Sequence, residues 1–510
     1  MEHEVDVIVI GGGPVGENAA DRARAAGLEV VLIERELVGG ECSYWACVPS
    51  KTLLRSAAAL RAAQRVGGAR EAVTAALDVP AVLARRDYWV SDWSDQGGAD
   101  WLASVGIGLE RGHGRLDGER RVVVERPDGE ELVVLARHAV VVATGTDPVI
   151  PPIAGLAEAR PWTSREATSV TAPPARLAII GGGVVAVEMA TAFAGFGTEV
   201  TVLARSGLLG GMEPFAGEAV AAGLRSLGAS VRLGVQPTLV ERTAAGEIVV
   251  TLDDGETVTA DEVLVATGRQ PRSDRLGLES VGLEAGDWVA VDDTMLATGA
   301  AGNAERPWLY AVGDLNHRAL LTHQGKYQAR AVGDLIAARA LGRPQQTEPW
   351  GAHVATADHS AVPQVVFAEP EAVSVGLTAA AAKREGRRVR LADVSFSSVS
   401  GAGIVADDYE GRARLVVDEE RGTVVGATFV GQDVAELLQS ATIAIVGEVP
   451  IDRLWHAVPA FPTMSEVWLR LLEALGRPGA ADAAVSAAAT HDHDDDHADA
   501  NADADSEEAA

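Results

Sequence analysis

The 510 residues run twice through an alternation of strand and helix before changing character, which predicts an α/β chain of two Rossmann-like dinucleotide-binding domains followed by a C-terminal α+β domain. Stretches opening at Val5 and at Leu177 each read apolar strand, glycine turn, helix, strand. Two later apolar runs, 140–142 and 263–265, both end in Ala-Thr-Gly, which suggests equivalent sheet-edge crossings in the two units. Beyond about residue 350 come strands at 364–367, 413–417 and 424–430 and helices near 433–446 and 466–475, the pattern of a separate domain. With 47% hydrophobic residues the chain has material for about three cores of ordinary size.

The first unit begins with a strand at 5–10, turns through Gly11-Gly12-Gly13-Pro14-Val15-Gly16, continues as a helix to Ala26 and returns as a strand at 29–33. Gly11, Gly13 and Gly16 have G-x-G-x-x-G spacing after a strand and at the mouth of a helix, so the backbone can approach a pyrophosphate at the helix N-terminus. Glu34 ends the second strand, eighteen residues past Gly16, where a carboxylate accepts ribose hydroxyls.

The only two cysteines come next, in Gly39-Gly40-Glu41-Cys42-Ser43-Tyr44-Trp45-Ala46-Cys47-Val48-Pro49-Ser50-Lys51. That concentration favours redox chemistry over two core thiols. A regular helix parts residues five apart by about 7.5 Å, and a disulfide wants Cα atoms about 4.4 to 6.8 Å apart. The oxidised loop must therefore be distorted. A helix is expected over 50–61 with Pro49 near its first turn, where the missing N–H is no loss. Its N-terminal dipole and Lys51 both favour a thiolate at the second sulfur.

The second unit has a strand at 177–180, the turn Gly181-Gly182-Gly183-Val184-Val185-Ala186, a helix to Gly195 and a strand at 199–203. Gly181 and Gly183 repeat the fingerprint, and Ala186 takes its third position, as the pattern allows. Ala204 and Arg205 stand where an NAD-preferring site places an acid. An arginine there pairs with a 2′-phosphate, which favours NADPH; NADH stays open, because no second basic residue follows in 206–213. Thr144 and Gly145 at the end of one Ala-Thr-Gly strand, and Gly268 at the end of the other, are further candidate cofactor contacts.

A formal charge of −30 argues against nucleic acid or an anionic membrane as partner. The N-terminus shows no basic leader, and the apolar run at 5–10 is too short for a membrane span, so a cytoplasmic protein is expected. Two adjacent cysteines build no disulfide framework, and a reducing compartment suits a disulfide that opens in turnover. Residues 476–490 read as a linker into an acidic tail that is expected to be disordered. His491, His493 and His497 within it suit a loose divalent metal or simple solvation; solvation is the reading favoured, and no metal site is expected.

Together these residues resemble the pyridine nucleotide-disulfide oxidoreductases of the glutathione reductase, lipoamide dehydrogenase and mercuric reductase type, over about residues 4–475. Gly-Gly-x-Cys-x4-Cys-Val-Pro-Ser-Lys carries the likeness, with Ala311-Val312-Gly313-Asp314 and Val362-Pro363-Gln364-Val365-Val366-Phe367. The resemblance implies bound FAD, a homodimer and a small-molecule electron acceptor. It implies an FAD domain at 1–150 and 271–350, an NAD(P) domain at 151–270, an interface domain at 351–475 and the tail at 476–510. By the same likeness Cys42 is the interchange thiol that meets substrate and Cys47 the flavin-facing, charge-transfer thiol. Lys51 is then the residue beside flavin N5, Glu188 its carboxylate partner, and Asp314 the ligand of the ribityl chain.

One departure bears on the acceptor. The family's terminal His-Pro-Thr-x-x-Glu, whose histidine serves the interchange thiol as acid/base, reads Phe461-Pro462-Thr463-Met464-Ser465-Glu466 here. Phenylalanine moves no proton, and a positioned acid or base is worth about 10²- to 10⁴-fold. The expected acceptor therefore demands little proton help: an activated low-molecular-weight disulfide, or a quinone reduced at the flavin. Tyr44 and His456 are candidate substitutes, and Glu466 is expected to act in a helix capping box. Leu320-Leu321-Thr322-His323 looks similar to mercuric reductases, which use an extra C-terminal cysteine pair that this sequence lacks. Phe461 is similar to the ketopropyl-coenzyme M carboxylase branch, and a redox-sensing flavoprotein is the rival from another class.

Overall fold

The computed structural model describes residues 2–477, so the acidic tail with His491, His493 and His497 lies outside the described residues. Seven strands form the first sheet. At its centre Glu2–Ile10 lies parallel to Val30–Glu34 on one side and Glu131–Val142 on the other. Val5, Ile8 and Ile10 pack into one core and Val7 and Val9 into another, because both faces of the sheet are covered. That is why this strand reads as an unbroken apolar run. Leu309–Ala311 returns from far along the chain to pair with residues 140–142, and so delivers Asp314 to the end of the same sheet. The 140–142 run is thus flanked on both sides and not at an edge, whereas Glu262–Val265 does end the second sheet.

The second sheet has four parallel strands in the order Ser230–Leu233, Glu199–Ala204, Arg176–Ile180, Glu262–Val265. A three-stranded antiparallel sheet packs on one face through Val240, Ile248 and Val250. The helix Val184–Gly195 packs on the other, with every residue from Ala186 to Phe193 buried. It also touches the helix Cys47–Gln64, so closely that a Cβ on Gly195 would lie 2.9 Å from that of Ala57. A two-stranded ribbon, Thr146–Pro148 against Arg269–Pro271, joins the ends of the two Ala-Thr-Gly turns.

The C-terminal sheet is antiparallel, in the order Gln364–Val366, Glu371–Gly376, Thr423–Gly431, Arg412–Asp418, Val389–Ser395. Helices Leu437–Val446 and Val467–Leu475 share one core with it. The first begins four residues later than expected, after a turn in which Asp433 has φ +56°. The capping box expected at 463–466 does not form. Thr463 donates to Ala460 O at 2.7 Å, and the buried Glu466 accepts from Gly401 N at 3.3 Å. Among the described residues no helix is long and apolar enough to cross a membrane.

Candidate active site

The two glycine turns are built alike. Gly11 N donates to Ile33 O and Ala143 N to Ile10 O; Gly181 N donates to Leu203 O and Ala266 N to Ile180 O. Gly11 has φ +105°, and a Cβ there would lie 2.4 Å from Ala143 O; Gly181 has φ +138° and the same conflict with Ala266 O at 2.3 Å. The alanine of each Ala-Thr-Gly therefore roofs a turn that only glycine fits. A Cβ on Gly16 would fall 1.9 Å from Gly11 O, whereas the matching position of the second turn takes Ala186, fully buried. Gly13 and Gly183 face open space, the room a phosphate needs above a helix N-terminus.

One cleft of about 240 Å³ runs from Glu34 past Gly11, Gly13, Thr144 and Gly145 to Asp314, and Cys42 and Thr322 also line it. Glu34 is buried and accepts from Gly12 N at 2.7 Å and Glu36 N at 2.6 Å. Asp314 accepts from the Thr146 hydroxyl at 2.9 Å; burial pushes its carboxyl up, and Thr146, Arg269 and Arg272 pull it down. The glycine cradle, the carboxylate of Glu34 and the buried carboxyl of Asp314, all lining one cleft, fit a dinucleotide. Gly181, Gly183, Ala186 and Gly268 belong to the second unit, with Arg205 exposed just past its strand Glu199–Ala204.

Both cysteines are free thiols in this structure. The short helix Gly40–Tyr44 ends at Trp45, Ala46 breaks the chain with φ −132° and ψ −97°, and a new helix starts at Cys47 itself. That break keeps the two sulfurs off a single regular helix, and it places the helix start three residues earlier than the sequence suggests. Thr168 fastens it by donating to Trp45 O at 3.0 Å. A hydrogen bond from Cys42 lowers the Cys47 thiol below the ordinary thiol range, against burial and with help from Thr322 and Lys51. The same bond drives Cys42 up. Thr322 Oγ1 lies 3.5 Å from Cys47 Sγ.

Lys51 Nζ donates to Glu188 Oε2 at 2.6 Å, and Glu188 Oε1 accepts from Phe367 N at 3.1 Å. The Lys51 ammonium also sits 5.2 Å from the centre of the Phe367 ring. On the other side of the dithiol Glu41 accepts from Arg165 at 2.6 Å and Arg272 at 2.7 Å, while its second oxygen is buried without a partner. Arg165 in turn stacks over Trp45 at 4.2 Å.

Tyr44 is buried with its hydroxyl donating to Ser94 O at 3.2 Å, and His456 lies exposed on the loop that carries Phe461. Phe461 itself is 75% exposed and Val458 84%. Thr322, Glu41, Arg165 and Phe367 went unrecognised as site residues. Only Thr322 carried a signal, the Leu-Leu-Thr-His run, and its contact with Cys47 spans 275 residues of chain.

This combination of two dinucleotide cradles and a helix-start dithiol defines a flavin- and nicotinamide-linked disulfide oxidoreductase. The chain matches the pyridine nucleotide-disulphide oxidoreductase family over residues 5–332 and that family's dimerisation domain over 362–471, and it belongs to this FAD-dependent family. A mercuric reductase of Acidithiobacillus ferrooxidans is 34% identical over 91% of this chain and 81% of its own. A dihydrolipoyl dehydrogenase of Halobacterium salinarum is 30% identical over 92% and 96%. Among solved structures the HOCl-induced flavoprotein disulfide reductase RclA from Escherichia coli, in its Cu(II) complex, has the same fold, with TM-score 0.78 and 23% identity over 92% of this chain and 99% of that one.

Proposed function

We propose that the protein is a cytoplasmic, homodimeric NAD(P)H-dependent reductase that uses the Cys42–Cys47 pair to reduce a small disulfide-type acceptor of low proton demand. The observation that carries this reading is the dithiol: Cys42 lines the dinucleotide cleft, and Cys47 stands at a helix start 3.5 Å from the Thr322 hydroxyl, its thiol made more acidic by Cys42, Thr322 and Lys51. FAD, when bound, supplies the two-electron relay between nicotinamide and dithiol. Gly11, Gly13 and Gly16 hold its pyrophosphate, Glu34 a ribose, Thr144, Gly145 and Asp314 the stretch toward the ring, and Lys51 with Glu188 the ring's reactive edge. Gly181, Gly183, Ala186 and Gly268 hold the nicotinamide nucleotide, and exposed Arg205 supports NADPH over NADH.

Cys42 passes its proton to the Cys47 thiolate, attacks one sulfur of the acceptor and expels the other as a thiolate; Cys47 then gives that proton up to the departed thiolate, attacks Cys42 and releases the second thiolate, re-forming the disulfide. Each leaving thiolate departs without a proton from position 461, which favours acceptors whose thiols are already acidic. Exposed Ile443, Val446, Val458 and Phe461 in the dimerisation domain support burial against a second copy.

Anaerobic titration with NADPH and then NADH, with Cys42→Ser as control, tests the proposal. A long-wavelength thiolate-to-flavin band near half-reduction is the expected result. Bleaching without that band refutes the dithiol route and directs the search to acceptors reduced at the flavin, such as quinones.

A further inference from the structure

Lys51, Glu188 and Phe367 come from the helix Cys47–Gln64, the helix Val184–Gly195 and the residue just past strand Gln364–Val366. Phe367 touches both members of the ion pair: its N–H reaches the carboxylate at 3.1 Å, and its ring lies 5.2 Å from the ammonium. The Glu188 side chain is 4% exposed, so its second oxygen needs that N–H. The Lys51 side chain is 36% exposed and has one carboxylate partner for three N–H donors, so the ring face adds to the Glu188 ion pair in opposing its swing into water. The segment that carries Phe367 is tied to the Thr322 helix as well, through His323 Nε2 and Pro363 O at 2.8 Å.

We infer that Phe367 is a positioning residue of the redox site, whose ring fixes the Lys51 ammonium beside the dithiol while its backbone fixes Glu188. The inference rests on the dithiol reading above. The groups that face Cys47 are Cys42 from the short preceding helix, Lys51 one turn along its own helix, Thr322 from the helix Thr322–Ala340 and Glu188 from the helix Val184–Gly195. Of these only Lys51 brings a positive charge. Loosening it leaves Glu188 as the sole full charge on the thiolate, which weakens the thiolate.

The test is the pH midpoint of Cys47 in the reduced protein, read from ultraviolet thiolate absorbance, beside the melting temperature. Phe367→Leu keeps the backbone N–H and removes the ring face; Phe367→Tyr keeps both. The expected result is a midpoint about half a unit higher in Phe367→Leu, a threefold loss of thiolate at a fixed pH well below the midpoint, with Phe367→Tyr at the wild-type value. In a Lys51→Met background Phe367→Leu then adds no further shift, because its effect runs through Lys51. An unmoved midpoint in Phe367→Leu, an equal shift in Phe367→Tyr, or a full further shift in the Lys51→Met background overturns the inference, whatever the melting temperatures. If Lys51→Met alone leaves Cys47 where it was, the failure lies in the placement of Lys51 beside the thiolate and not in Phe367.

Discussion

Replacing Cys42 by alanine tests what makes Cys47 acidic. The hydrogen bond from Cys42 is the largest influence that brings the Cys47 thiol down; burial opposes it, and Thr322 and Lys51 assist. Hydrogen bonds to charged groups are worth about 1.5 to 3 kcal/mol, and S–H is a weak donor, so the low end applies. One pKa unit corresponds to about 1.4 kcal/mol. Cys42→Ala should therefore raise the Cys47 midpoint by about one unit, and Cys42→Ser, which keeps an O–H donor, should raise it less. Because the thiolate is the form favoured by the fold, it is lost as pH falls through the midpoint and is full well above it. The assay is anaerobic titration of the reduced protein by thiolate absorbance, with alkylation rate against pH as a second probe. A wild-type midpoint near 9, or coincident curves for the alanine and serine variants, would refute the reasoning.

Three further outcomes are expected. Gly11→Ala forces a side chain to within 2.4 Å of Ala143 O at φ +105°, so the purified variant should retain FAD about tenfold less tightly or worse, measured as the flavin-to-protein absorbance ratio after dialysis. Phe461→His supplies the missing acid/base, and turnover with an ordinary alkyl disulfide should rise about tenfold or more; no gain would count against an acceptor class set by position 461. Glu17 is raised from 4.5 to about 7, chiefly by burial, so the folded chain takes up a proton between those values and stability falls as pH rises through them. Glu17→Gln should remove a cost of about 3 kcal/mol above pH ~8 and almost nothing near pH ~4, which urea melts at both pH values would show.

Both dinucleotide units were legible because their signal is local: three glycines after an apolar run specify a turn, and its sterics depend on neighbours such as Gly11 O beside Gly16. The Lys51–Glu188 pair is 137 residues apart and came only through family likeness. Phe367 on Lys51, Thr322 on Cys47 and Arg165 on Glu41 and Trp45 were illegible, since aromatic, hydroxyl and guanidinium groups recur throughout the chain and nothing local says which meet. At 463–466 the local signal misled. Thr-x-x-Glu spells a cap, but Glu466 is buried and satisfied by Gly401, a partner 65 residues away, and tertiary contact overrode the local option.

That buried contact also determines how the acceptor question can be answered. Gly401 is pressed so hard on this segment that a Cβ there would lie 2.1 Å from Thr463 C, and Glu466 holds its N–H at 3.3 Å. The backbone of 461–466 is therefore shaped by Gly401, Thr463 and Glu466, with no contribution required from the exposed ring of Phe461. A histidine put at 461 inherits that backbone, so within one chain the substitution changes proton supply and not the scaffold; sedimentation of the variant checks that its association is kept. If alkyl disulfides remain poor substrates of Phe461→His while Cys47 still titrates as in the wild type, proton supply is not what restricts the acceptor, and the restriction must lie in how the acceptor reaches Cys42.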